Sequence, residues 1–264
     1  MASTGWKRTI HSPRRKTSLG TTSEQLVIGI DFGTTYTGVA FAHSSFGIEN
    51  LQINSETKSE LDTVVEKITV IKSWPNANKQ YEEKTPTIIA YDDGGRPVAW
   101  GGQLKRNHQT KVACFKLGLH EGTRSHYNTA AASLLGGFLN DSDWRHPNLP
   151  SKTALDYAAD YLALVGSYVM NKVLPDRFGE EFLSRQHISF AITVPAIWSD
   201  KAKDATRKAA ERAGIKEEDL TLITEPEAAA QYCATTCHEV GLKPGDHFLI
   251  CDAGGGTVVI LAYR

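Results

Sequence analysis

The sequence predicts an α/β fold, a mixed sheet flanked by helices, followed by the start of a second, smaller unit. Three observations lead there. Strand-like runs crowd the first hundred residues, helical periodicities alternate with single strands after residue 153, and one strand–Asp–glycine-turn–strand pattern occurs twice, far apart in the chain.

The first strands are expected at 26–30, 38–42 and 48–53, with turn-rich joints at Gly33 and Gly47. Their close spacing suggests an antiparallel meander. Residues 54–84 are polar and charged apart from Ile68, Val70 and Ile71, and are expected to form a loop insertion. Strands return at 87–91 and 97–100, joined by a turn at Asp92-Asp93-Gly94-Gly95.

Leu155, Ala158, Leu162, Val165, Val169 and Val173 recur at steps of three and four, which predicts a helix over 153–176. Thr153 is its expected cap and Pro175 its stop. A buried strand is expected at 188–194, ended by Pro195. Ser199 or Asp200 then caps a helix whose stripe of Ala202, Ala205, Ala209 and Ala213 ends at Gly214 and should pack closely on a sheet. A strand at 220–224, an alanine-rich helix after Glu225 and Pro226, and a strand at 248–251 complete the pattern.

Composition narrows the function. With 29 Lys and Arg against 30 Asp and Glu, no global field draws the chain to nucleic acid or an anionic membrane. No apolar stretch approaches the roughly 20 residues that span a bilayer. The four cysteines form no CxxC pair and are expected to be reduced, as in a cytoplasmic protein, with the one in the 248–251 strand packing as a small hydrophobe. Residues 1–24 carry five basic residues and one acid, which predicts a disordered basic tail, with a targeting segment as the alternative.

The chemistry lies in the repeated pattern. An apolar strand ends at Asp31 and turns through Gly33, Thr34 and Thr35; another ends at Asp252 and turns through Gly254, Gly255, Gly256 and Thr257. Glycines let backbone N–H groups approach phosphate oxygens. A carboxylate at a strand end facing those phosphates suits Mg²⁺, bound mostly through retained waters. The alternative is two ordinary Asp-Gly hairpins. The chain has no GxxxxGK[ST], GxGxxG or HExxH motif.

Taken together, Gly29-Ile30-Asp31-Phe32-Gly33-Thr34-Thr35-Tyr36, Thr193-Val194-Pro195-Ala196-Ile197-Trp198, Thr224-Glu225-Pro226-Glu227-Ala228-Ala229-Ala230 and Asp252-Ala253-Gly254-Gly255-Gly256-Thr257 resemble the nucleotide-binding domain of the heat shock protein 70 family, of the actin-like ATPase superfamily. Trp74-Pro75, Trp100-Gly101 and Phe115-Lys116-Leu117 are most similar to its divergent twelve-type branch. The resemblance implies a ribonuclease-H-like lobe over 25–240 and the opening hairpin of an incomplete second lobe over 241–264. It implies ATP and Mg²⁺ as ligands: Gly33, Thr34, Thr35 and Tyr36 on the β- and γ-phosphates, Gly254, Gly255, Gly256 and Thr257 gripping phosphate from the other side, and Asp31 and Asp252 near the metal. Glu225 would position metal and attacking water, and Lys105 would be the catalytic lysine near the γ-phosphate. A charge at a helix start is the simpler reading of Glu225, and a solvated surface lysine that of Lys105.

Two departures bear on activity. Val259 stands where the family pattern has Asp, which removes a carboxylate from the surroundings of the metal. The pattern also stops soon after Asp252, so most of an adenosine pocket is expected to be missing. Three functions remain open: a chaperone-type ATPase, a catalytically weak or inactive nucleotide-binding fragment or regulatory paralogue, and a small-molecule kinase of the same superfamily. The implied partners are unfolded clients or co-chaperones, reached through regions outside this chain, and a half-built lobe is expected to self-associate.

Overall fold

The computed structural model describes residues 25–43, 68–75, 81–105, 107–108, 110–120, 146, 148–149, 151–236, 245–255 and 258–263. The basic tail, the strand expected at 48–53, most of the 54–84 loop, Cys237, Gly256 and Thr257 lie outside them. Among the described residues no helix is long and apolar enough to cross a membrane.

The main sheet is built on β1 (Gln25–Phe32) and β2 (Tyr36–His43), an antiparallel hairpin as the sequence predicts. Alternation along β1 buries Leu26, Ile28, Ile30 and Phe32 on one face. Two short strands from the expected loop region, β3 (Thr69–Val70) and β4 (Lys84–Pro86), pair with β2. A separate antiparallel sheet holds β5 (Ile88–Tyr91) between β6 (Pro97–Trp100) and β7 (Thr110–Ala113). The turn between β5 and β6 is closed by Asp92, whose Oδ1 accepts from the N–H groups of Gly94 and Arg96.

The chain then enters α1 (Ala154–Tyr168). Thr153 caps it reciprocally with Asp156: each side chain accepts from the other residue's backbone N–H. Its inner face buries Tyr157, Ala158, Tyr161, Leu162 and Val165. The Tyr161 ring lies 6.2 Å from that of Phe32 and its hydroxyl donates to the Pro86 carbonyl at 3.0 Å. Burying each of these large side chains contributes about 1.5–3 kcal/mol.

Pro175 does not stop this helix. A turn of π-helix over Val169–Val173 leads into α2 (Leu174–Phe178), with Pro175 in the first turn of the new segment. The wider turn before it makes room for the ring within a continuous run of helical backbone. The stop is Gly179 at φ 80, followed by α3 (Glu180–Ser184).

Strand β8 (His187–Val194) returns parallel to β1, and β9 (Leu220–Thr224) lies parallel to β8, giving the order β3-β2-β1-β8-β9 with β4 also on β2. The mixed α/β sheet expected from the sequence is therefore present. Between these strands runs α4 (Asp200–Arg212), capped by Ser199 and ended by Gly214 at φ 105. Its small-residue face packs chiefly against α1 and not, as expected, against a sheet. Ala202, Ala209 and Ala210 let two helices approach, and Arg212 reaches across to Asp156 at 2.7 Å.

After β9 come α5 (Glu225–Thr236) and a two-stranded hairpin of β10 (Phe248–Ala253) and β11 (Val258–Tyr263). Cys251 is exposed on β10 and so does not pack as a core residue, because the face it shares with Leu249 and Ile260 is open. Cys114 is buried, and burial pushes its thiol up to about 11.

Candidate functional site

The two hairpins are built to one plan. Asp31 pairs with Gly38 and Asp252 with Val259, each seven residues on, and each ladder stops one pair later at a four-residue turn. The repeat seen in the sequence is thus a repeat of register.

The first turn is held tightly. Gly33 donates to the Asp31 carbonyl at 3.2 Å, and a Cβ at Gly33 would run into the Tyr36 carbonyl oxygen, which explains the glycine. Thr87 donates its hydroxyl to the Gly33 carbonyl at 2.9 Å and its N–H to the Thr35 carbonyl at 2.8 Å. Thr34 is buried, Thr35 half-buried and Tyr36 exposed.

Asp31 is held from both sides. Its Oδ1 accepts from the Thr193 hydroxyl on β8 at 3.2 Å, and its Oδ2 from the Lys84 ammonium on β4 at 2.6 Å. The second hairpin meets the first at the turns: a Cβ at Gly255 would overlap the Thr35 side chain. Gly254 is exposed, and Gly256 and Thr257 lie outside the described residues.

Glu225 begins α5 where β9 ends. It is an acidic charge in the first turn of the helix, as its simpler reading had it, while the reciprocal cap of α5 is made by Thr224 and Glu227: the Glu227 carboxylate accepts from the Thr224 N–H and hydroxyl, and the Thr224 hydroxyl accepts from the Glu227 N–H. The Glu225 side chain is turned inward onto Lys116, Nζ to Oε1 at 2.5 Å, with only 3% of the lysine and 13% of the glutamate side chain exposed. Burial raises the Glu225 carboxyl above the ordinary range. The Lys116 charge and hydrogen bond oppose that rise, and the negative charges of Asp252 and Asp31 add to it. The charges of Asp31 on β1 and Asp252 on β10 are therefore felt at Glu225 at the start of α5.

Lys105 is exposed beyond the short turn Gly101–Gln103, its backbone N–H bonded to His108 Nδ1 at 3.0 Å. The lysines that meet the site's acids are Lys84 and Lys116. Sequence reasoning assigned a role to neither, nor to Thr193. A lysine inside the apolar run Val112-Ala113-Cys114-Phe115-Lys116-Leu117 was the available signal for Lys116, since a charge there is costly unless paired. Lys84 offered none.

Among the described residues no three His, Cys, Asp or Glu side chains converge as direct ligands of a metal. The donors the site offers are carboxylate oxygens, the ligand type of a hard cation such as Mg²⁺.

No family model matches the chain. Curated relatives do. Heat shock 70 kDa protein 12A of Homo sapiens is 29% identical over 223 residues, covering 79% of this chain and 28% of that protein. Chaperone protein HscA of Photorhabdus laumondii is 27% identical over 253 residues, 91% of this chain and 33% of that one. The chain is related to the heat shock protein 70 family. Heat shock 70 kDa protein 12B of Homo sapiens is also similar, at 24% over 226 residues, 80% of this chain and 28% of that protein, so the likeness to the twelve-type branch extends beyond the motifs to most of the chain. The chain spans about 28% of the length of the heat shock 70 kDa relatives it matches.

Proposed function

We propose that this chain is a nucleotide-binding, ATPase-type domain of the heat shock protein 70 kind, holding the phosphates of Mg-ATP between its two glycine-rich hairpins. The observation that carries the reading is the abutment of the turns at Thr35 and Gly255, which brings the strand ends bearing Asp31 and Asp252 together. Backbone N–H groups of the turns over 33–36 and 254–257 that are not already paired, as that of Gly33 is with the Asp31 carbonyl, would bind phosphate oxygens, and Asp31 and Asp252 would hold a hydrated Mg²⁺, which would neutralise phosphate charge. Glu225 orients the attacking water. Phosphoryl transfer asks mainly for positioning and charge stabilisation, so no nucleophilic side chain is required. The resemblance makes Lys105 the proposed lysine near the γ-phosphate.

Residues 25–240 form the first lobe and 241–264 begin the second. Unfolded clients and co-chaperones are the proposed partner class, a reading supported by the likeness to proteins named as chaperones, and the cytoplasm is the proposed compartment.

One observation favours slow turnover. Val259 lies opposite Asp252 at 4% exposure, where the family pattern supplies a second carboxylate. Calorimetric titration of Mg-ATP and a separate assay of phosphate release test both readings. Binding with release supports the ATPase, binding without release the regulatory form, and no binding refutes both. Stimulation by a small-molecule phosphate acceptor would point to a kinase.

A further inference from the structure

Strand β4 is short, yet each of its residues is tied to the first glycine turn or to the hairpin that carries it. Lys84, Thr85 and Pro86 pair with Gly38, Thr37 and Tyr36 of β2. The Pro86 carbonyl accepts from the Tyr161 hydroxyl, and Thr87, the next residue, donates to the carbonyls of Gly33 and Thr35. Lys84 therefore has a fixed place relative to the turn.

From that place its side chain crosses a strand. Asp31 pairs with Gly38 and Gly38 with Lys84, so the three lie in one row over β1, β2 and β4 with the glycine in the middle. A Cβ on Gly38 would meet Lys84 Cγ at 3.4 Å and Cε at 3.6 Å, so the lysine stem lies over the bare backbone of Gly38. A methyl group there would only touch the stem; anything larger would stand in its path. Beyond Gly38 the ammonium reaches Asp31 Oδ2 at 2.6 Å. A glycine inside a strand weakens it and often marks the close approach of another group. Here that group is the lysine.

Folding stability does not account for the row, because the pair is about half exposed and such pairs contribute little. What the row does is set a tethered positive charge on the carboxylate at the end of β1. An ammonium has three N–H donors. Asp31 takes one, and among the described residues Lys84 Nζ has no other hydrogen-bond partner. The remaining donors can meet a second anion while the first stays bound, and charge-assisted bonds of this kind are the stronger ones. Joining a carboxylate to phosphate is also what a hydrated divalent cation at Asp31 would do.

We propose that Lys84 is a built-in cation that bridges Asp31 to the phosphates of the nucleotide, so that this chain binds ATP without a divalent metal. The inference rests on the function proposed above and deepens it: Mg²⁺ joins a phosphate site that already holds a positive charge.

The test is calorimetric titration of the whole chain with ATP, in Mg²⁺ and in EDTA at one ionic strength, and the quantity read is the ratio of the Kd in EDTA to the Kd in Mg²⁺. In the wild type that ratio stays within about threefold. In Lys84→Gln it rises to at least about tenfold, because the metal is then the one cation left to join Asp31 to phosphate. Gly38→Val keeps both charges but blocks the stem, and raises the ratio likewise. If Gly38→Val does not fold, Lys84→Gln, an exposed substitution, decides alone. A wild-type ratio of about tenfold or more would overturn the proposal and leave the functional reading standing, and so would a ratio unchanged from wild type in either variant. A wild-type chain that binds ATP in neither buffer removes both.

Discussion

Gly255 sits against the side chain of Thr35, so closely that any Cβ at position 255 would occupy the space of the threonine hydroxyl and methyl. The turns of two hairpins distant in sequence are in contact at a point where one methyl group does not fit. Gly255→Ala is therefore expected to push them apart, at about 1–3 kcal/mol if the contact is preserved by strain. Calorimetry should find ATP binding weakened at least about tenfold, the equivalent of some 1.4 kcal/mol. Unchanged affinity would mean that the turns do not grip one ligand.

Lys84 and Asp31 form a pair exposed by 52% and 43%. Exposed pairs contribute about 0–1 kcal/mol, so Lys84→Ala should leave urea-induced unfolding almost unchanged. Its expected effect is on the ligand: ATP binding should weaken and become less sensitive to added salt, because a cation beside the proposed phosphate site is gone. Affinities measured at two ionic strengths check both parts.

Asp156 caps α1 and meets Arg212. Burial, its largest single influence, pushes its carboxyl up. The Thr153 hydrogen bonds and the charges of Arg212 and Lys152 outweigh it and hold the group below the ordinary range. A depressed folded pKa gives stability above the unfolded value, lost as pH falls through the folded one. Asp156→Asn should cost about 1 kcal/mol at neutral pH, with the gap to wild type closing below roughly pH 4. Unfolding curves at pH 7 and pH 3 measure it.

Val259→Asp restores the carboxylate of the family pattern directly opposite Asp252. Because Val259 is buried and like charges across a ladder repel, the free protein should lose stability by roughly 1–3 kcal/mol. Mg²⁺ with ATP should recover more of that loss than ATP in chelator. Equal recovery would argue against a cation between the hairpins.

Much of this was legible because local chemistry and tertiary packing agreed. Ser199 and Gly214 bound α4 through hydrogen bonds and a backbone angle their residue types favour, and Asp31 and Asp252 end matching strands. Pro175 misled because the π-turn that admits it has no residue signature. The exposed face of Cys251 was hidden because alternation does not say which side of a two-stranded hairpin is covered. Lys116 and Lys84 escaped for a different reason: each meets an acid more than fifty residues away, and only the fold brings them together.

The two halves of the site differ in how they are anchored. Asp31 is borne on a strand flanked on both sides, by β2 and by β8, whereas Asp252 stands on a ribbon of two strands whose outer ladder edges pair with no other described strand. Amide protons beside Asp31 should exchange with solvent only when the whole sheet opens, while those beside Asp252 escape through local fraying. One jaw is rigid and the other pliant. A nucleotide spanning them then works as a splint, slowing exchange in the distal ribbon far more than in the sheet it is braced against.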